Sequence, residues 1–435
     1  MSAESINLRK LSLETLLAAE KSDGKATALI KADLEKIKEL PKNQRSFYNR
    51  LTKGTLEQQI RLDYILSFYL TKPVSKLKPP LRWILRLSVY QIYEMQSIPQ
   101  SAVVNEAVKL ASLKGFSSMK GLINGVLRNV IRDPARVKQP SKSDPVKYIS
   151  VMYSMPEYLV SKWIGDYGAE AAEKICAAFL KERPIVIRLK TGGCSPDATL
   201  ESLRAEGVSV RIPDGAPDGA AEIADFGALN RLSAFKNGSI YVQDTGSQLA
   251  VAFLELGPGM TILDLCAAPG GKSMTAADRA GESSLVTARD VNEEKTALID
   301  ENIKRCGFAN IKTETADASV FNENDVEKYD VVIADLPCSG YGVIGRKPDV
   351  KYHASKEKED ALVSIQRSIL MNAVRYVKPG GQLLFSTCTL SKKENEENAA
   401  FISSEYGLKN VCTKTLLPGI NADDGFFISV FRKEK

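Results

Sequence analysis

The sequence predicts three regions in order: an all-α region, a small α+β module, and an α/β domain built on a parallel sheet. Three observations carry this. Residues 7–132 keep helical spacing throughout, with no alternating strand-like run of useful length. A polar, Pro-bearing link at 133–145 (DPARVKQPSKSDP) then interrupts the chain. From Ile240 onward, short apolar strands alternate with helices, the pattern of a parallel sheet covered on both faces. At 435 residues the chain is too long for a single core, so divisions are expected at about 140 and 230, giving 1–140, 141–230 and 231–435.

In the first region, residues 81–93 (LRWILRLSVYQIY) place apolar side chains at i, i+3 and i+4, with Arg82 and Arg86 one turn apart on one face. Residues 103–113 and 122–131 continue the helical pattern. The first 140 residues hold 24 Lys and Arg against 12 Asp and Glu, a net of +12, whereas the remainder is −6. Such asymmetry points to a module that meets a polyanion; charge alone leaves a merely solvated helical surface equally open. The second region reads as a helix at 156–181, a strand at 185–190, a helix at 197–206 and a strand at 208–212, followed by the turn-rich DGAPDGA.

Composition excludes several classes. The chain is 44% hydrophobic and 26% charged, ordinary for a globular protein. No stretch approaches the ~20 apolar residues of a membrane span, and MSAESINLRK has no apolar signal core, so no membrane partner and no export are expected. Seven cysteines, none spaced as CxxC, indicate neither a disulfide framework nor a metal site, and a reducing cytoplasm is expected. The single histidine, His353, has no G-x-S-x-G elbow to partner it and reads as a surface loop residue.

The α/β domain opens with the strand Thr261-Ile262-Leu263-Asp264-Leu265, followed by Cys266-Ala267-Ala268-Pro269-Gly270-Gly271-Lys272-Ser273. A P-loop would need glycine where Cys266 stands, and G-x-G-x-x-G spacing is absent. What remains is a strand, a small-residue turn that lets backbone approach a ligand, and a helix N-terminus. Asp290, Asp317 and Asp335 stand at the ends of the following strands. A carboxylate 20–30 residues beyond such a turn is where a ribose diol is bound in nucleotide-binding folds. Carboxylates disfavour a phosphate-rich ligand and suit a nucleoside with a cationic centre, a description S-adenosylmethionine fits. Each Asp alone could instead cap a helix.

Two further segments deliver thiols to the same rim: Asp335-Leu336-Pro337-Cys338-Ser339-Gly340 after the apolar run YDVVIA, and Ser386-Thr387-Cys388-Thr389 after GQLLF. Ligands bind at the carboxyl ends of parallel strands, and the thiolate is the nucleophile a protein most readily supplies near neutral pH. Two inert cysteines buried behind strands are the plain alternative.

CAAPGGK, DLPCSG and STCT resemble, in order and spacing, the RNA cytosine-C5 methyltransferases of the NOL1/NOP2/Sun family. The resemblance runs from 235–249 (FKNGSIYVQDTGSQL) to Asp424-Gly425-Phe426-Phe427. The N-terminal region is similar to the NusB RNA-binding helical fold, in residues 81–93, Val104-Asn105-Glu106-Ala107-Val108 and Ile123-Asn124-Gly125-Val126-Leu127-Arg128. These resemblances imply a Rossmann-like S-adenosylmethionine-dependent methyltransferase domain behind a NusB-like domain, acting on a cytosine of 16S ribosomal RNA, without DNA and as a monomer. They also imply roles. Cys388 attacks C6 of the base, Cys338 assists product release, and Asp335 holds N3 protonated. Residues Cys266, Ala267, Ala268, Pro269, Gly270, Gly271 and Lys272, with Asp290, Asp317 and Asp335, bind the cofactor. Lys272 is placed to lower a thiol pKa or to hold the target phosphate; a solvated lysine at a helix start is its plain alternative. Arg289, Lys190 and Gly345 depart from the family pattern without removing a catalytic group, and Arg346 keeps the second of a frequent Arg pair. Rival readings are a DNA cytosine methyltransferase using Cys338, a relative acting on transfer RNA or 23S ribosomal RNA, and a non-catalytic RNA-binding factor.

Overall fold

A computed structural model describes residues 6–22 and 25–435. Contacts group the chain into two compact units, one of residues up to 181 with 344–354 and one of residues 182–343 with 355–435. The division at 140 and 230 concerns which stretches fold independently, and it stands as a proposal.

The first unit is all-α, as its helical spacing predicts. Its helices are α1 (Leu8–Lys21), α2 (Ala26–Lys36), α3 (Lys42–Glu57), α4 (Gln59–Ser67), α5 (Pro79–Glu94), α6 (Gln100–Leu113), α7 (Lys120–Arg132), α8 (Pro145–Met152), α9 (Glu157–Tyr167) and α10 (Ala169–Ala178). Helix α5 begins with proline in its first turn, where a missing N–H costs nothing. Its buried residues lie on all sides, because α1, α3, α4, α6 and α7 pack around it. Truncating Leu85, fully buried there, would cost about 2–5 kcal/mol. Arg82 and Arg86 do not form a free basic face. Arg86 is buried, donates to both carboxylate oxygens of Asp63 at 2.7 and 2.6 Å and stacks on Trp83, while Arg82 pairs with Glu20.

Segment 344–354 interrupts the second unit in sequence yet packs within the first. Asp349 accepts from the Ala26 amide at 2.9 Å. Lys351 donates to the carbonyls of Glu57 and Ser154 at 2.7 and 2.6 Å, and the Tyr352 hydroxyl donates to that of Leu56 at 2.7 Å. Leu56 and Glu57 end α3, where carbonyls lack helical partners and a cation is favoured. Burial pulls Lys351 down to about 8. His353, expected on a surface loop, is half-buried in a short 3-10 turn, Val350–His353.

The second unit carries two sheets. The first is β1 (Ile185–Leu189), α11 (Pro196–Ala205), β2 (Ser209–Arg211), β3 (Ala220–Ala224), the short α12 (Ser233–Lys236) and β4 (Ile240–Val242), with order β2-β3-β1-β4 and all pairings antiparallel. The turn expected at DGAPDGA is followed by β3, a strand that the sequence reading does not anticipate. One expectation is corrected here: β4, counted with the parallel-sheet region that begins at Ile240, pairs instead with β1.

The larger sheet follows: α13 (Thr245–Ala252), β5 (Thr261–Asp264), α14 (Gly271–Ala280), β6 (Leu285–Asp290), α15 (Glu293–Cys306), β7 (Ile311–Thr315), β8 (Tyr329–Asp335), α16 (Lys356–Tyr376), β9 (Val377–Thr387), α17 (Glu396–Tyr406), β10 (Lys409–Leu416) and β11 (Phe426–Arg432). Its order is β10-β11-β9-β8-β5-β6-β7; β9 through β7 are parallel, and β11 and β10 close one edge antiparallel. Leu263, Val332, Leu383 and Phe385 form one buried layer with Ile369 and Leu370 of α16 and Ile402 of α17. Ile262, Val331, Ile333 and Leu384 form the other with Ala250 and Val251 of α13 and Ala276 and Ala277 of α14. Burial on both faces explains the continuous apolar runs of these strands.

Two family departures have local partners. Arg289 is buried and bonded to Glu314, Asp325 and Tyr329, which holds its pKa up despite burial. Lys190 donates to the Cys306 carbonyl at the end of α15 at 2.8 Å and lies over the Phe308 ring, a favoured place for a cation.

Candidate active site

Strand ends bring the predicted residues to one rim. Asp264, Asp290 and Asp335 are the last residues of β5, β6 and β8, and Cys388 directly follows β9. Cys338 lies three residues beyond β8. Strands β8 and β9 are paired with Asp335 opposite Ser386, so the two loops leave the sheet side by side. The thiols meet there, Sγ to Sγ, at 3.4 Å. The bond to Cys388, followed by burial, raises the Cys338 pKa well above that of a free thiol.

Close backbone approach holds the loops. The Gly342 amide donates to the Cys388 carbonyl at 3.0 Å, and the Gly425 amide donates to the Gly342 carbonyl at 2.7 Å. A Cβ on Gly342 would sit 2.2 Å from the Gly425 carbonyl oxygen, so no larger residue fits without displacement. Behind them, Glu394 accepts from the Ser339 amide and from the Gln366 amide, each at 2.9 Å, and burial raises its pKa. Ser339 also bonds Thr389 at 2.6 Å, tying the two cysteine loops together.

Asp335 is held on both oxygens. Lys272 donates to one at 2.6 Å and Ser386 to the other at 2.7 Å, and Lys272 also donates to Ser247 at 3.0 Å. Lys272 is buried and lies over the Phe426 ring, so it is no solvated helix-start lysine. Its ammonium lies with Asp335 rather than with either thiol.

A cavity of about 270 Å³ opens beside this pair, lined by Cys266, Ala267, Ala268, Pro269, Gly271, Lys272 and Asp335, and also by Val242, Gln243, Asp244, Ser247 and Asp264. Gly270 is in the left-handed region, φ +103, where the turn enters α14. Asp290 does not line the cavity: it accepts from the Ala268 amide at 3.0 Å and from Lys295 at 2.9 Å, bracing the turn. Asp317, which is exposed, is likewise outside the cavity; it accepts from the Ser319 hydroxyl and amide, which lowers its pKa. Burial pushes the thiol of Cys266, which lines the cavity, up. Burial also raises Asp264, to about 7. One oxygen of Asp264 accepts from Ser273 at 2.7 Å and the other has no partner; the Gln243 amide nitrogen is buried and equally unpartnered. Three carboxylates and a lysine already paired with one of them suit a cationic nucleoside, so the donor set fits S-adenosylmethionine. Sequence reasoning singled out neither Gln243, Glu394 nor Gln366 as a separate contributor, and Gln366 has no motif around it to give it away.

Comparison with known proteins points to one family. A model described as 16S rRNA methyltransferase RsmB/F matches residues 251–432, the NusB family matches 6–132, and an RsmF/B-like ferredoxin-like domain matches 155–221. The chain is 35% identical to the probable ribosomal RNA small subunit methyltransferase B of Bacillus subtilis (strain 168), over 98% of this chain and 99% of that protein. It is 29% identical to the probable ribosomal RNA small subunit methyltransferase B of a Synechocystis species, over 98% and 100%. Among solved structures, a methyltransferase homolog protein from Pyrococcus horikoshii matches with a TM-score of 0.60 at 23% identity, covering 68% of this chain and all of that one. Likeness at that identity shows a shared fold.

Proposed function

This chain belongs to the RsmB/F family of S-adenosylmethionine-dependent ribosomal RNA methyltransferases, and from that premise we propose that it methylates C5 of a cytosine in 16S ribosomal RNA through a covalent bond from Cys388 to C6. The observation that carries the proposal is the thiol pair, 3.4 Å apart at the ends of adjacent parallel strands. Cytosine C5 is a poor nucleophile until a thiolate adds at C6. Cys338, 3.4 Å from Cys388, is close enough to hydrogen-bond a thiolate formed there. Addition forms the Cys388 Sγ–C6 bond and leaves C5 electron-rich. Asp335, fixed by Lys272 and Ser386, offers a carboxylate to a protonated N3, which draws electrons from C6 during that addition. S-adenosylmethionine supplies the electrophilic methyl. Loss of the C5 proton to water then breaks the C6–S bond and expels the Cys388 thiolate, and Cys338 is the thiol placed to help that release. The turn from Cys266 to Lys272 receives the cofactor, with Asp290, which braces that turn, for its ribose and Asp317 for its adenine.

The substrate base must be single-stranded or flipped out to reach the thiols. The basic first unit grips RNA backbone, the enzyme works as a monomer in the cytoplasm, and DNA is not a partner. Among the described residues no helix is long and apolar enough to cross a membrane. Bisulfite sequencing of 16S transcript incubated with protein and S-adenosylmethionine should reveal one newly protected cytosine. Methyl incorporation without any protected cytosine would contradict the C5 assignment.

A further inference from the structure

Two consecutive residues, Glu394 and Asn395, each hold one of the two thiol loops by the residues that flank its cysteine. On the Cys338 loop, Glu394 accepts from the Ser339 amide at 2.9 Å and from the Ser339 hydroxyl at 2.5 Å. Gln366, on α16, donates to the same carboxylate and to the Pro337 carbonyl, both at 2.9 Å. Asn398 donates to the Gln366 side-chain oxygen at 2.8 Å, which fixes the way that amide faces. On the Cys388 loop, Asn395 accepts from the Thr387 hydroxyl at 2.5 Å and donates to the Thr389 carbonyl at 3.0 Å. Both residues are 0% exposed. Neither takes the role that its position suggests. Asn395 stands at the N-cap of α17, where asparagine ordinarily bonds a first-turn amide, yet its side chain makes no capping bond. Glu394 is a buried carboxylate that no cation pairs with among the described residues, an unfavourable placement. Every side-chain bond it makes runs to the Cys338 loop or to the glutamine that holds that loop.

We propose that Glu394 and Asn395 are positioning residues with separate tasks: Asn395 sets the Cys388 thiol for attack on C6, and Glu394 sets the Cys338 thiol for release of the methylated base. One turn carries both, closed by their amides donating to the Ser391 carbonyl at 3.1 and 3.0 Å. That turn therefore fixes the spacing of the loops, and with it the 3.4 Å between the thiols. Misplacing a reacting group by about 1 Å can cost about 100-fold in rate, so each residue governs the step of the cysteine it holds. The inference rests on the proposed division of labour between Cys388 and Cys338.

The test is a quenched time course of the full chain with 16S transcript and S-adenosylmethionine, reading adduct on denaturing gels and its decay to free methylated RNA. Asn395→Ala should slow adduct formation by about 10- to 100-fold without delaying its decay. Glu394→Ala should form adduct at the wild-type rate and slow its decay by a similar factor, so that adduct accumulates. Glu394→Gln keeps an acceptor for the Ser339 amide and should restore decay. Thermal melting checks the fold. If either alanine variant melts early, Thr387→Val should repeat the slow addition and Gln366→Leu the slow decay. Equal slowing of both steps by both residues, or of neither, would overturn the inference and leave Cys388 as the nucleophile. The opposite split would overturn the inference together with the assignment of the two thiols. So would a wild-type chain that methylates the RNA without ever forming an adduct.

Discussion

Asp264 is fully buried at the end of β5, and burial lifts its carboxyl to about 7, so the folded protein holds that proton more tightly than the unfolded chain does. The sign follows from linkage. The contribution to stability is complete below the unfolded carboxylate range, near pH 4, and is lost as pH rises toward about 7. Asp264→Asn cannot titrate, so relative to wild type it should gain stability between pH 5 and pH 8, on the order of 1–3 kcal/mol. Denaturant melts of both proteins at the two pH values check this, and an unchanged difference would remove Asp264 from the titration. Cys338, Cys388 and Asp335 were legible in the sequence because each stands at the end of a short apolar run with Pro or Gly beside it. Gln243 was not, because no local pattern reports that one atom of a glutamine is left unbonded.

The elements that deliver these residues were read unevenly. Strands β8 and β9 announce themselves by continuous burial, whereas β3 (AAEIA) is mostly alanine and carries little strand propensity. Strand β4 was recognised as a strand but assigned to the wrong sheet. Three residues carry no sign of their partner, and its partner β1 lies some fifty residues earlier. The interlock of the cysteine loops depends on glycines whose role appears only in three dimensions. Gly342→Ala would force a methyl against the Gly425 carbonyl and the Cys388 carbonyl. It should destabilise the protein by about 1–3 kcal/mol and slow adduct formation more than cofactor binding. Equal loss of both functions, measured by gel shift and calorimetry, would mean that the interlock serves the fold alone.

At the scale of the whole chain, the division into a helical and an α/β part is plain from periodicity. The docking of 344–354 within the helical unit is not, since Lys351 and Tyr352 find their partners almost 300 residues away in sequence. The net charge of +12 over the first 140 residues is also plain, but which cations are available is not: Arg86 is spent on Asp63 and Arg82 on Glu20. Lys72, Lys76 and Lys78 are exposed and border one cleft of the first unit with Phe116 and Met119. Replacing all three with glutamine should weaken RNA binding and lower the slope of log affinity against log salt by about 2–3, since each phosphate contact contributes about 0.7–0.9. Cofactor affinity should not change. An unaltered salt slope would place the RNA elsewhere on the protein.

Trapping the RNA adduct tests the central claim most directly. Incubated with 16S transcript and S-adenosylmethionine, Cys338→Ala should add and methylate, then stall with RNA attached. The complex should survive denaturing electrophoresis, because a carbon–sulfur bond does not dissociate on unfolding. Cys388→Ala should form neither adduct nor 5-methylcytosine. An adduct from Cys388→Ala with none from Cys338→Ala would contradict the account and make Cys338 the nucleophile.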